Sequence, residues 1–229
     1  MGQDMEAYLR PGVFVNSDHP DVVAFAHSIV RGDTKKSQAM SAFVGVRDHF
    51  RYDPYDVSLV PQTFYASTII TRDRQFCQTK AIILAAVLRV FKIPSRLGFA
   101  DIRNHLSSGR LSDLMGTDIF CWHGFTEAYL SGRWIKVTPT FNATMCEKFG
   151  LLPLDFDGEN DCMLHPFDRS GHKHMEYVGD RGHFVDFPFE EIRADLPRLY
   201  PKMYGELGSV SGDFSAEVDA DLAAGNYLS

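Results

Sequence analysis

The sequence contains no apolar run able to cross a bilayer: no window comes near the ~18 consecutive apolar residues of a membrane span. Its first ten residues, MGQDMEAYLR, carry no apolar leader core, and Glu6 occupies the place where a myristoylation signal wants Ser or Thr. Positive charge is in deficit, with 23 Lys and Arg against 30 Asp and Glu. The resulting formal charge of −7 repels phosphate backbones and anionic surfaces, so neither nucleic acid nor a membrane is expected as a partner. Cysteine is scarce: Cys77, Cys121, Cys146 and Cys162 are too widely and irregularly spaced for a disulfide framework, and reduced thiols are expected. These absences point to a cytoplasmic protein. Internal repeats and calcium-loop motifs are also missing, and no cofactor or resident metal is expected.

What is present is apolar mass. Hydrophobic residues make up 45% of the 229-residue chain and aromatic residues 13%, enough for one compact core without staples. Residues 18–30, DHPDVVAFAHSIV, place Val22, Phe25 or Ala26, and Ile29 at helical spacing behind Asp18 and Pro20 as start signals. A second helix is predicted in KKSQAMSAFVGVRDHF, from Ala39, Phe43, Val46 and Phe50, with Tyr52-Asp53-Pro54 ending it. Residues 77–91, CQTKAIILAAVLRVF, are apolar almost all round and free of Gly and Pro until Pro94; a helix of that kind has to be buried. IFCWHGFTEAYL and RWIKVTPTF, rich in aromatic and β-branched residues and separated by Ser131-Gly132, predict an antiparallel hairpin. Helices first and strands afterwards predict an α+β fold, with the buried Cys-bearing helix packed on an antiparallel sheet. Residues 1–142 read as this core, 143–204 as a loop-rich extension packed on it, and 205–229 as an acidic tail, mobile or loosely docked.

A cysteine on an apolar helix is ordinarily a small core residue. Cys77, however, opens its helix, where orphan backbone N–H groups favour an anion, and a stabilised thiolate is expected there. Such a nucleophile needs a base from a separate element. His123, in the strand segment WHGFTE, is placed to supply one; alternation puts it on one face with Phe125, Glu127 and Tyr129, opposite Trp122, Thr126, Ala128 and Leu130.

Cys77 opening CQTKAIILAAVLRVFKIPSRLGFAD, His123 within WHGFTEAYLSGRWIKVTPT, and the earlier DHPDVV and FRYDPY together resemble the core of the transglutaminase-like (papain-like) superfamily, over roughly residues 10–142. The resemblance implies a Cys-His-acid triad for acyl transfer or amide hydrolysis on a peptide or amide substrate. One position departs from the pattern. Where the family places Asp before Pro in the strand after the His, this chain has Thr138 of TPT. Two residues are candidates for the third role: Thr138 itself, and Asn142, which a register count across the 131–133 turn brings opposite His123 and which could orient an imidazole as Asn does in papain-like proteases. The oxyanion is assigned to the backbone N–H of Cys77, with Gln75 two residues upstream as a second donor. The alternative reading is a binding module that keeps the fold and has lost turnover along with its acid.

Other residues carry lesser expectations. Lys80, one turn from Cys77, either lowers the thiol pKa or snorkels to the surface. Asn104 and His105, after the strand that follows the central helix, either contact substrate or bond within their loop. His165, Asp168, His172 and His174 are suitable types for zinc, but their spacing fits no zinc signature and they read as solvated loop side chains. Cys121 is expected on the His123 face as a packing residue.

Overall fold

The computed structural model describes residues 5–55, 57–105, 107–165, 171, 174–204 and 212–224. Two amphipathic helices, α1 (Pro20–Ile29) and α2 (Lys35–His49), form as their spacing predicts. Thr34 caps α2, its hydroxyl accepting from the Ser37 N–H. Two short strands, β1 (Arg51–Tyr52) and β2 (Arg74–Gln75), pair in parallel on either side of the single-turn helix α3 (Ala66–Ile69). They lead the chain into α4 (Cys77–Val90), where every residue from Gln78 to Arg89 is buried. That helix stops in a Schellman turn. The N–H of Ile93 reaches the Leu88 carbonyl and that of Lys92 the Arg89 carbonyl, with Lys92 in the left-handed region at φ 55 ahead of Pro94.

The sheet follows. β3 (Ser95–Asn104), β4 (Ile119–Leu130), β5 (Arg133–Val137) and β6 (Met175–Phe184) are antiparallel throughout, in the order β5-β4-β3-β6. The β4–β5 hairpin turns on Ser131 and Gly132, both at positive φ, and Leu130 faces Arg133, as a two-residue turn requires. α4 lies against one face of this sheet. Thr126 Oγ1 donates to the Ala81 carbonyl and Ser95 Oγ to the Ala85 carbonyl, each at 2.9 Å, stitching helix to strands.

The short helices α5 (Gly109–Met115) and α6 (Ala143–Lys148) fill the connections beside β3 and β5. Beyond residue 143 the chain holds more structure than the loop-rich pattern suggested. β6 completes the core sheet along the free edge of β3, and α7 (Phe189–Leu199) buries Phe189, Ile192 and Leu196. Asp186, between them, accepts the backbone N–H groups of Val13, Phe14 and Val15 and so ties the N-terminal segment to the C-terminal one. The expected mobile tail is likewise corrected in part: residues 214–223 form α8 (Phe214–Ala223), capped by Asp213 and docked through buried Phe214 and Val218. Among the described residues, no helix is long and apolar enough to cross a membrane.

Candidate active site

Cys77 begins α4 where three elements converge. Thr79 holds the entry to the helix, its hydroxyl accepting from the Phe76 N–H at 3.0 Å and donating to the Phe76 carbonyl at 3.1 Å. Gln78 donates its side-chain amide to the Trp122 carbonyl at 2.9 Å. The backbone N–H of Gly124, together with those of Gln78 and Cys77, points at the Cys77 sulfur. The helix start therefore grips β4 one residue before and one residue after His123.

β4 is bulged at that point. Ala100 faces His123 and Ile102 faces Phe120, so Asp101 alone opposes both Cys121 and Trp122, and Trp122 takes a left-handed φ of 59°. For a bulky residue this conformation is strained and has to be held by its surroundings. The holding groups are Asp101, Arg181 and Asp195. Asp101 accepts the Trp122 N–H at 3.1 Å, and Asp195 accepts the indole N–H at 2.9 Å. Arg181 bonds both carboxylates and lies over the indole ring, 4.8 Å from its centroid. The bulge breaks simple alternation along β4 here, yet Cys121 and His123 line one cavity.

Cys77 and His123 line one cavity of about 60 Å³. Burial dominates its electrostatics. It pushes the Cys77 thiol up to about 11, outweighing the three N–H groups that favour the thiolate, and it pushes the His123 imidazole down to about 4. Against the expectation of a stabilised thiolate, desolvation outweighs the helix-start N–H groups and favours the neutral thiol and the neutral imidazole. For His123 burial is the cause of the shift, and among the described residues no carboxylate offsets it. Its Nε2 is buried and has no hydrogen-bond partner among the described residues. Tyr52 and Tyr204 share the cavity; burial raises both phenols, and the nearby Cys77 sulfur adds to the shift.

Neither candidate for the third triad position bonds His123. Thr138 turns its hydroxyl to the Met163 sulfur at 3.6 Å. Asn142 accepts the Tyr52 N–H at 2.9 Å and donates to Thr144, so its amide organises β1 and α6. The register count fails because the turn has two residues: Thr126 faces Val137, and continuing that count would bring Thr140, not Asn142, opposite His123. Gln75 is also corrected as an oxyanion donor. It is fully buried, and its amide hydrogens go to the Ile69 and Arg72 carbonyls. Lys80 neither snorkels nor reaches the thiol; it is fully buried, with its ammonium on the Arg47 carbonyl at 2.8 Å.

Asn104 and His105 line a separate, polar cavity of about 250 Å³ with Ser107, Ser112, Thr117 and Asp118, and Phe120 is the wall it shares with the Cys77 cavity. His165 and His174 are buried, not solvated as expected. His165 Nε2 meets the Leu152 carbonyl at 2.7 Å, and the His174 ring stacks on Phe141. Asp168 and His172 lie outside the described residues. No cluster of metal-ligating side chains occurs among the described residues.

Two parts of the site had no reading in the sequence. The Asp101–Arg181–Asp195 clamp assembles from β3, β6 and α7, and no local motif links the three. The distal wall comes from Leu196 and Tyr200 at the end of α7 and from Met203 and Tyr204 just after it. The apolar spacing of Phe189, Ile192 and Leu196 signals that helix, though not its destination.

A helix-borne thiol and a strand-borne imidazole lining one cavity, with the helix packed on an antiparallel sheet, make a papain-like architecture. The family model described as the transglutaminase-like superfamily matches residues 23–139, just over half of the sequence, and the chain belongs to that superfamily. A search of curated proteins returns no match. One similar solved structure is described as a candidate cysteine protease of Cytophaga hutchinsonii; it shares 17% identity at a TM-score of 0.45, over 80% of this chain and 55% of that one. The chain thus spans about half the length of that protein.

Proposed function

We propose that this chain is a cysteine-dependent enzyme that hydrolyses an amide or peptide bond, or transfers its acyl group to an amine, with Cys77 as nucleophile and His123 as base. The observation that carries this reading is the buried Nε2 of His123, without a hydrogen-bond partner among the described residues, in the cavity it shares with Cys77. Leaving a buried ring nitrogen unbonded costs about 1–3 kcal/mol, which is tolerated where its partner is the proton in flight. Because thiol and imidazole are neutral at rest, the proton moves as the bond forms: the sulfur attacks the carbonyl carbon while its hydrogen passes to His123. The carbon–nitrogen bond then breaks, and the departing amine takes that proton from the imidazolium. Water or a second amine, deprotonated by His123, releases the thioester and restores the thiol. The backbone N–H groups at the helix start are the donors for the oxyanion. Asn104 and His105, which line the polar cavity across Phe120, are the contacts proposed for the polar remainder of the substrate. The setting proposed is the cytoplasm, where all four thiols stay reduced.

The test is peptide-resolved mass spectrometry of Cys77 after exposure to activated acyl donors and to cell extract. Wild type is expected to carry an acyl adduct, and His123→Ala to acquire it roughly 10²-fold more slowly. Equal rates in the two proteins would eliminate the dyad. The second reading, a binding module without turnover, draws on Thr138 in the acid's place and on the lack, among the described residues, of any charge that shifts His123. Thr138→Asp discriminates: acylation appearing only in that variant identifies a degenerate enzyme.

A further inference from the structure

We infer that the Cys77 cavity selects a short, uncharged, apolar acyl group, and that the segment following α7 sets this preference. The inference rests on the acyl-transfer reading above. Val57, Phe76, Leu111, Phe120, Leu196 and Met203 supply the apolar lining, and among the described residues no Asp, Glu, Lys or Arg lines the cavity. A carboxylate or ammonium on the acyl chain would lose its water and find no counter-charge, a penalty of several kcal/mol unless it is neutralised. Size is limited as well. At ~10–15 Å³ for each water-sized group, the volume of about 60 Å³ holds roughly four to six non-hydrogen atoms, the extent of a butanoyl or 3-methylbutanoyl group with its carbonyl.

His123, Gln78, Tyr52 and Tyr204 line the cavity with Cys77, and the Tyr52 and Tyr204 phenols lie within electrostatic range of its sulfur. They suit the carbonyl end of such a group, and the apolar wall suits its tail. Leu196 and Met203 lie beyond residue 139, where the superfamily match ends, so this part of the lining, from α7 and the residues after it, belongs to the C-terminal segment and not to the shared core.

The experiment uses the full chain and N-acetylcysteamine thioesters of butanoic, succinic and octanoic acids. In each reaction a new bond from the Cys77 sulfur to the carbonyl carbon forms, the donor's carbon–sulfur bond breaks, and the Cys77 proton passes through His123 to the departing thiolate. Peptide-resolved mass spectrometry follows the rate at Cys77. The butanoyl donor is expected to react roughly tenfold or more faster than either of the others. Succinyl or octanoyl transfer as fast as butanoyl overturns the inference and leaves the acyl-transfer reading standing; no adduct at Cys77 from any donor overturns that reading and the inference with it. Met203→Arg adds an independent check, because a guanidinium in the wall is expected to shift preference towards the succinyl donor. If this variant melts cooperatively and its preference is unchanged, the wall assignment is wrong; if it does not fold, the wild-type panel alone decides.

Discussion

A β-carbon built onto Gly124 would stand 2.8 Å from the Cα of Gln78. That contact is backbone against backbone, so no side-chain rotation relieves it. It explains why a glycine follows His123: only a residue without a side chain lets the first turn of α4 come close enough for the Gly124 N–H to reach the Cys77 sulfur.

Gly124→Ala is therefore expected to push the start of α4 off the strand. Overpacking of this kind costs about 1–3 kcal/mol, or ~2–4 °C of melting temperature per kcal/mol for a chain of this size. Acylation of Cys77 is expected to fall by an order of magnitude or more, since a displacement near 1 Å has such an effect on reacting groups. Gly109→Ala is the control; it opens α5 with nothing within 4 Å of the added carbon and is expected to melt like wild type. Equal melting temperatures and acylation rates in both variants would show that α4 does not need the close approach.

The clamp on Trp122 makes a separate prediction. Asp195→Asn removes charge from the group that accepts the indole N–H and bonds Arg181. Arg181 is then less firmly held over the ring, and the left-handed backbone just before His123 loses support. His123 is expected to lose orientation, with Cys77 acylation slowed about tenfold at every pH while the hydrogen-exchange protection of α4 is unchanged. Protection lost throughout α4 would make the clamp a general stability element and not a positioning device.

Much of this architecture was legible in local pattern. The buried helix at 77–91 and the hairpin on Ser131-Gly132 each depend on residues close in sequence or on a strong period. The failures share a cause, which is that they needed geometry between distant segments. Period two could not show the bulge at Cys121 and Trp122, which is invisible without the partner strand, here Asp101 on β3. The helix-start rule predicted a thiolate at Cys77, but the desolvation that reverses it comes partly from α7 and the residues after it, far along the chain. β6 was hidden because its outward residues, such as Tyr177 and Val178, are exposed at the sheet edge, and Gly179 and Gly182 interrupt its strand pattern.

The resting thiol gives a direct pH test. With burial holding Cys77 near 11 and an ordinary thiol titrating near ~8.5, Cys77 is expected to be largely protonated at neutral pH. Its alkylation by iodoacetamide should climb steadily through pH 8, 9 and 10 with no plateau, whereas an accessible reference thiol levels off near pH 9.5. Circular dichroism at each pH confirms that the fold persists. A plateau below pH 8 would instead identify a preformed thiolate–imidazolium pair.

Lys80 predicts how stability depends on pH. Its ammonium is fully buried on the Arg47 carbonyl, and burial lowers its pKa to about 7, a shift that Asp48 only partly opposes and the Arg47 charge adds to. The unfolded chain presents an ordinary lysine near ~10.4. Between those values the unfolded state binds more protons, so this group's contribution to stability rises with pH across that window. Below about pH 7 both states carry the charge, the folded one without water around it, and the penalty is complete. Lys80→Met removes the charge at similar volume and is expected to stabilise the protein at pH 6 by about 1–4 kcal/mol. The same substitution takes a hydrogen-bond donor from the Arg47 carbonyl, a loss present at every pH, so the diagnostic is the difference between conditions. Thermal melts should show a clearly larger gain at pH 6 than at pH 9. Equal changes at the two pH values would mean that Lys80 keeps its charge comfortably in the folded protein.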